Sequence, residues 1–138
     1  MMSKEAILHQ QVCQYLRMQY PDIIFRTDFA AGIKMTIGQA SKHRRLQSGR
    51  AYPDLFIAQP IAKFYTIDEQ RVYQRCGLFI ELKATNIYKK DGTLKANDHV
   101  KQQARVLGQL EERGYIARFA IGFDQAKRII DAYMEGKL

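Results

Sequence analysis

The sequence LFIELKA at residues 78–84 is a nearly continuous apolar run that carries Glu81 and Lys83 near its end. Such a run is typical of a β-strand that is buried on both faces. An amphipathic helix is predicted next, at 98–113, and then a second apolar strand at 115–122. A strand, a helix and a strand in this order predict a parallel pair with a right-handed crossover. The chain is therefore expected to be an α/β protein.

The remaining segments are predicted to complete a central mixed sheet flanked by helices. Ser3, Asp98 and Asp124 are expected to cap helices, because their side chains accept hydrogen bonds from the first helical turn. A helix is predicted from Ser3 to about Gln19, then a strand at 23–30 ended by Gly32 and a short helix within 33–50. A strand at 54–59 ended by Pro60 follows, and then a hairpin of 63–67 and 71–75 around Asp68-Glu69-Gln70 that extends the sheet. The helix at 98–113 is expected to end at Gly114, and the apolar side of the last helix carries Ala126, Ile129, Ile130 and Tyr133.

The chain has 138 residues, of which 46% are apolar and 26% are charged. These values are ordinary for a globular protein, and the length predicts a single domain over residues 1–138. No apolar run approaches the length of a membrane span, about 18 residues, and the first residues lack the apolar region of a secretion signal. Cys13 and Cys76 lack zinc-type spacing, and the absence of a phosphate-binding Gly-rich motif argues against a nucleotide cofactor. We therefore expect a cytoplasmic protein that does not bind membranes.

The sequence carries 22 Lys and Arg against 14 Asp and Glu, which gives a formal charge of +8. No acidic residue lies between Asp28 and Asp54, and a second basic cluster surrounds Asp91-Gly92. Contact with nucleic-acid phosphates and a merely solvated surface explain these clusters equally well. The residues predicted to contact nucleic acid are Lys34, Lys42, Arg44, Arg45, Arg50, Lys89, Lys90, Lys95 and Lys101.

Several polar residues occupy positions where the pattern predicts apolar ones. Since each helical residue turns by about 100°, Glu5 and Gln103 fall within the apolar stripes of their helices. Glu81 and Lys83 share a strand face, and Asp54 opens another strand. Each has an ordinary structural explanation. Glu5 can be a solvated residue of the first helical turn, where the helix dipole favours a negative charge. Gln103 can form a hydrogen bond with a buried backbone group. Glu81 and Lys83 can form an ion pair with each other, and Asp54 can be a turn residue.

One shared metal site explains these polar residues together. Mg²⁺ prefers oxygen ligands and takes one or two protein carboxylates, so the Asp54 and Glu81 side chains and the Leu82 carbonyl are candidate ligands of Mg²⁺ or Mn²⁺. Lys83 is a candidate to orient or deprotonate an attacking water, or to stabilise charge at phosphorus. These features predict a metal-dependent phosphodiesterase. They require the Asp54 and Glu81 carboxylates to lie within about 5 Å of each other.

Pro53-Asp54 followed by Glu81-Leu82-Lys83 resembles the motif of the PD-(D/E)XK nuclease superfamily. The two halves of this motif also occur outside the predicted strands, as Pro21-Asp22 and as Glu135-Gly136-Lys137. The resemblance therefore depends on the positions of Asp54, Glu81 and Lys83 within predicted strands. In detail the chain is similar to the VRR-NUC branch, and the further matches are Glu5, Gly49, Gln103, Leu110 and Gly114. The departures are Ala51-Tyr52, where a second Gly is common, and Val100, where a Ser is usual.

This resemblance implies a restriction-endonuclease-like αβββαβ core and a Mg²⁺- or Mn²⁺-dependent endodeoxyribonuclease. It also implies a homodimer that cuts branched DNA such as four-way junctions. Asp54 and Glu81 would bind the metal, and Glu5 would support a second metal or a metal-bound water. Lys83 would serve the attacking water, and Gln103 would position Lys83 or the phosphate. His99 is expected to face solvent, with contact to the phosphate as the alternative. The alternative function is a non-catalytic nucleic-acid-binding protein that keeps the fold.

Overall fold

The computed structural model describes residues 2–28, 30, 33–65 and 70–138, with residues 63–65, 70 and 71 as backbone. Its elements, in chain order, are α1 (Lys4–Gln19), β1 (Phe25–Thr27), α2 (Ile37–Arg45), β2 (Leu55–Ile57), β3 (Ile61–Tyr65), β4 (Gln70–Arg75), β5 (Leu78–Lys83), α3 (Asp98–Glu112), β6 (Ile116–Ile121) and α4 (Gly122–Met134).

Four strands form the central sheet in the order β1-β2-β5-β6. The β1–β2 and β2–β5 pairs are antiparallel, whereas β5 and β6 are parallel and joined by α3. The helices α1 and α4 pack on the face that carries Leu78, Ile80 and Leu82, and Leu107 of α3 packs against Phe79 on the other face. This arrangement confirms the predicted α/β fold, a mixed sheet flanked by helices. The order αβββαβ describes α1, β1, β2, β5, α3 and β6, to which α2, the β3–β4 hairpin and α4 are added. Among the described residues, no helix has the length and apolarity that a membrane span requires.

The hairpin was predicted to extend the central sheet, and this prediction is wrong. β3 and β4 form a two-stranded sheet of their own. The hairpin connects β2 to β5, and each of these strands is already paired along both edges, β2 with β1 and β5, and β5 with β2 and β6. The hairpin therefore has no free edge beside the strands that it connects. The predicted turn around Asp68 lies partly outside the described residues.

The strand predicted at 23–30 is shorter than expected, since β1 covers only Phe25–Thr27. Its length follows from its partner, because β2 offers three residues for pairing. The predicted stop at Gly32 lies outside the described residues.

Two predicted helix caps are also corrected. Asn97, and not Asp98, caps α3, because the Asn97 side chain accepts the Val100 N–H at 3.2 Å. Asp124 lies within the first turn of α4, which begins at Gly122 after Ile121. A capping residue must precede the first turn with extended backbone, and both aspartates already lie inside their helices. Ser3 caps α1 as predicted.

A polar cluster joins α1 to α4 across the protein. Asp131 accepts hydrogen bonds from the Tyr15 hydroxyl, from the Tyr20 hydroxyl at 2.7 Å and from Lys127 Nζ at 3.0 Å. Burial raises the pKa of the Asp131 carboxyl, but these hydrogen bonds together outweigh burial and hold the pKa below its ordinary value. The ionised carboxylate therefore stabilises the packing of the two helices.

Replacing Asp131 by Asn is expected to destabilise the fold by about 1–2 kcal/mol at pH 7, because it weakens hydrogen bonds to a charged acceptor. A lowered pKa in the folded state stabilises above the unfolded pKa, about 3.9, and this stabilisation is lost as the pH falls through the folded value. The variant should therefore show a flatter loss of stability between about pH 5 and pH 3. Urea unfolding followed by circular dichroism measures both effects. Equal acid sensitivity in the two proteins would contradict the role of Asp131.

Candidate active site

The register between β2 and β5 places the two predicted metal-binding carboxylates together. Leu55 of β2 lies opposite Ile80 of β5 in this antiparallel pair. Asp54 directly precedes Leu55 and Glu81 directly follows Ile80, so both residues lie at the same end of the ladder. The two carboxyl groups are close enough for a hydrogen bond to form between them. The structure thus brings together the two residues that the sequence motif singles out.

Asp54 is held by the backbone of β5. Its Oδ2 atom accepts the N–H of Leu82 at 2.9 Å. The N–H and C=O groups of one strand residue point to the same edge. The Leu82 carbonyl, the third predicted ligand, therefore points towards the same edge as Asp54.

Glu81 is the most deeply buried carboxylate of the site, with 4% of its surface exposed. Burial, followed by the neighbouring Asp54 carboxylate and the hydrogen bond to it, raises the pKa of Glu81 to about 10, although Lys83 opposes this shift. At neutral pH Glu81 therefore keeps its proton beside Asp54 in the metal-free protein. A divalent cation supplies positive charge where this proton lies, so the donor set fits a hard cation.

Gln103 reaches the site from α3. Its Nε2 atom donates to Glu81 Oε1 at 2.9 Å and lies 3.2 Å from His99 Nε2. Its Oε1 atom has no hydrogen-bond partner among the described residues. This amide therefore orients Glu81 and keeps one acceptor for a further donor.

A cleft of about 520 Å³ opens over these groups. It contains all of the predicted catalytic side chains, together with His99, which is exposed. The residues that line it are Glu5, Asp28, His43, Arg44, Gln47, Arg50, Tyr52, Asp54, Glu81, Lys83, His99 and Gln103. Glu81 is buried, whereas Arg44 and Arg50 are exposed and are called the rim of the cleft. Carboxylates and arginines in one cleft suit a phosphate group bound beside a cation.

The residues predicted to contact nucleic acid divide into two groups. Arg44 and Arg50 line the cleft. The others are exposed and lie away from the cleft lining: Lys34, Lys42, Arg45, Lys89, Lys90, Lys95 and Lys101. The structure thus places only the two arginines next to the candidate site.

Sequence reasoning missed several residues of the site. His9 lies one turn after Glu5, and its Nε2 atom is 3.8 Å from Asp54 Oδ2. Its spacing of four residues from Glu5 is a signal that could have found it. Asp28 and His43 both line the cleft and lie 3.4 Å apart. They belong to two different predicted elements, the strand at 23–30 and the helix within 33–50, and no sequence pattern pairs them. The Tyr52 ring packs edge-to-face on Phe79, with centroids 5.8 Å apart.

Within the described residues, no group of three or more His, Cys, Asp or Glu side chains is spaced to hold a metal ion. The candidate metal set is therefore Asp54 and Glu81 completed by backbone and solvent oxygens. This composition is usual for Mg²⁺, which keeps several waters and takes one or two carboxylates.

No family model and no curated protein matches the sequence. A solved structure described as "VRR_NUC domain protein" has a similar fold, with a TM-score of 0.59 and 21% sequence identity. The alignment covers 96% of this chain and 89% of that chain. At this identity the likeness shows a shared VRR-NUC-like architecture over almost the whole chain, and activity must be argued from the site.

Proposed function

We propose that the protein is a divalent-metal-dependent endodeoxyribonuclease that hydrolyses phosphodiester bonds in the cleft. The observation that carries this proposal is the pairing of Asp54 with Glu81 next to Lys83, in a cleft whose rim carries Arg44 and Arg50. Carboxylates suited to a cation, a lysine and a cationic rim together match the needs of phosphate-ester hydrolysis. The likeness in fold to a VRR_NUC domain protein is in keeping with it.

Asp54, Glu81 and the Leu82 carbonyl would hold Mg²⁺ or Mn²⁺, and Glu5, on the cleft wall, would support a second metal. The bound metal would activate water and neutralise charge on the phosphate. Glu81 must lose its proton before it can bind a cation, and both Lys83 and the cation favour that loss.

Lys83 would act on the attacking water or on the charge that develops at phosphorus, since it follows Glu81 on the same face of β5. Gln103 would hold Glu81 in place through Nε2, and its free Oε1 atom would accept a hydrogen bond from Lys83. His99 would contact the phosphate from the exposed side of the cleft.

We further propose a homodimer that selects branched DNA, such as a four-way junction. Two active sites related by twofold symmetry can cut two strands symmetrically. Contacts made mainly to phosphates would give selectivity for the shape of DNA, because such contacts carry no base information. Light scattering on the purified protein tests for the dimer.

The experiment that tests the function is a cleavage assay on labelled linear, flap and four-way-junction DNA, with Mg²⁺, with Mn²⁺ and with a chelator. Cleavage that requires a metal and is fastest on a branched substrate supports the proposal. Binding to all these substrates without cleavage in either metal would favour the non-catalytic alternative.

Substitution of the rim arginines should weaken DNA binding without abolishing it. Each of Arg44→Ala and Arg50→Ala is expected to lower the slope of log affinity against log salt by about 1, because one phosphate contact is lost. Fluorescence anisotropy titrations over a range of salt concentrations measure this slope. Arg17→Ala, an exposed position in the last turn of α1, serves as the matched control. An equal effect of all three variants would count against a specific role for the rim.

A further inference from the structure

His9 is a buried histidine without an evident structural purpose. Only 5% of the residue is exposed, and neither ring nitrogen has a hydrogen-bond partner in the described part of the chain. Its neighbours in α1 include the core residues Leu8 and Val12. Burial of an unsatisfied polar ring costs free energy, so packing alone would favour an apolar residue at this position.

The ring of His9 faces the oxygen by which Asp54 is already held. His9 Nε2 lies 3.8 Å from Asp54 Oδ2, the same atom that accepts the Leu82 N–H at 2.9 Å. The strand β5 and the helix α1 thus approach one oxygen of this carboxylate. The Glu81 carboxyl group is the other hydrogen-bonding neighbour of Asp54.

We propose that His9 is a positioning residue for Asp54, and that its Nε2–H donates to Oδ2 when the site is loaded. The distance from His9 Nε2 to Asp54 Oδ2 exceeds the length of a hydrogen bond by about 1 Å, and a small movement of the carboxylate would close this difference. A donor on Oδ2 would fix the orientation of the Asp54 carboxylate, which would bind the cation. Partners that hold metal-binding groups in this way typically change metal affinity by about 10–100-fold when removed. The inference rests on the proposed function, because it assigns Asp54 to a metal.

Direct Mn²⁺ binding tests this proposal without recourse to cleavage. Titration of the full chain with Mn²⁺, followed by electron paramagnetic resonance, should show binding about 10-fold or more weaker in His9→Leu. His9→Gln keeps an N–H donor and should recover most of the affinity. Gln10→Leu, at the next, exposed position of α1, should bind as the wild type does.

Thermal unfolding without metal separates positioning from packing. His9→Leu removes two unsatisfied nitrogens from the interior, so its melting temperature should equal or exceed that of the wild type while its metal binding falls. A parallel loss of stability and binding that His9→Gln does not reverse would assign a packing role and overturn the proposal. Unchanged Mn²⁺ affinity in His9→Leu would overturn it as well.

The Asp54→Asn variant distinguishes this failure from failure of the proposed function. If the wild-type protein binds Mn²⁺ and the Asp54→Asn variant does not, the metal site is supported. Unchanged Mn²⁺ affinity in His9→Leu then overturns only the role of His9. If the wild-type protein binds no Mn²⁺, both the metal site and the role of His9 are overturned.

Discussion

The Glu81→Gln variant is expected to be more stable than the wild type at pH 8 and to lose metal-dependent cleavage. Burial, with the charge of Asp54, raises the pKa of Glu81 to about 10, whereas an unfolded chain ionises this residue near pH 4.3. Between these values the folded state holds a proton that the unfolded state releases, so wild-type stability falls as the pH rises. Glutamine keeps a neutral side chain at every pH and still accepts the hydrogen bond from Gln103.

The gain in stability at pH 8 should be at least about 1.4 kcal/mol, the equivalent of one pKa unit, and should shrink towards pH 5. Urea unfolding in the presence of a chelator measures it, and the junction assay measures cleavage. Glu135→Gln is the matched control, because Glu135 belongs to the second Glu-x-Lys triplet and is exposed. Loss of stability in metal-free Glu81→Gln at pH 8, or cleavage at the wild-type rate, would contradict the assignment.

The Lys83→Met variant is expected to lose about 10²–10⁴-fold in the cleavage rate, the range usual for a group that transfers protons in the transition state. DNA affinity should stay close to that of the wild type, because Arg44 and Arg50 still line the cleft. Single-turnover cleavage and fluorescence anisotropy measure the two quantities. Lys137→Met, from the exposed Glu-x-Lys triplet, should leave both unchanged.

A second substitution decides between the two roles left open for Lys83. Arginine keeps the positive charge but does not deprotonate in proteins. Substantial activity in Lys83→Arg would show that charge at phosphorus matters, whereas a loss as deep as in Lys83→Met would show that the amine transfers a proton. Wild-type cleavage by Lys83→Met would remove Lys83 from the mechanism.

Much of the fold could be predicted because local patterns determine it. The apolar run of β5 requires a strand with two covered faces, and β2 and β6 pair along its two edges. The separate β3–β4 sheet could not be predicted, since hairpin pairing is local but its attachment depends on which sheet edges are already occupied. The caps of α3 and α4 depend on single residues at element boundaries, where sequence patterns are weakest.

The cleft could be predicted to a similar extent. Glu5 and Gln103 interrupt apolar stripes, and Asp54, Glu81 and Lys83 stand at strand ends; the structure gathers all five around one cleft. His9 was not predicted, because a histidine near Leu8 and Val12 is compatible with an ordinary helix face. Only the structure shows that its ring nitrogens lack hydrogen-bond partners among the described residues. The pair of Asp28 and His43 depends on the path of the chain before α2, which no periodicity reports.

The self-contained pairing of the β3–β4 hairpin has a consequence for variation of this chain. The hairpin occupies the connection between β2 and β5, yet the positions of Asp54 and Glu81 follow from the direct ladder between those two strands. Hairpin length and carboxylate spacing are thus geometrically uncoupled. Equal numbers of residues added to β3 and β4 would lengthen the hairpin without moving Asp54 or Glu81. This connection is therefore a suitable position for inserting a segment that recognises the substrate.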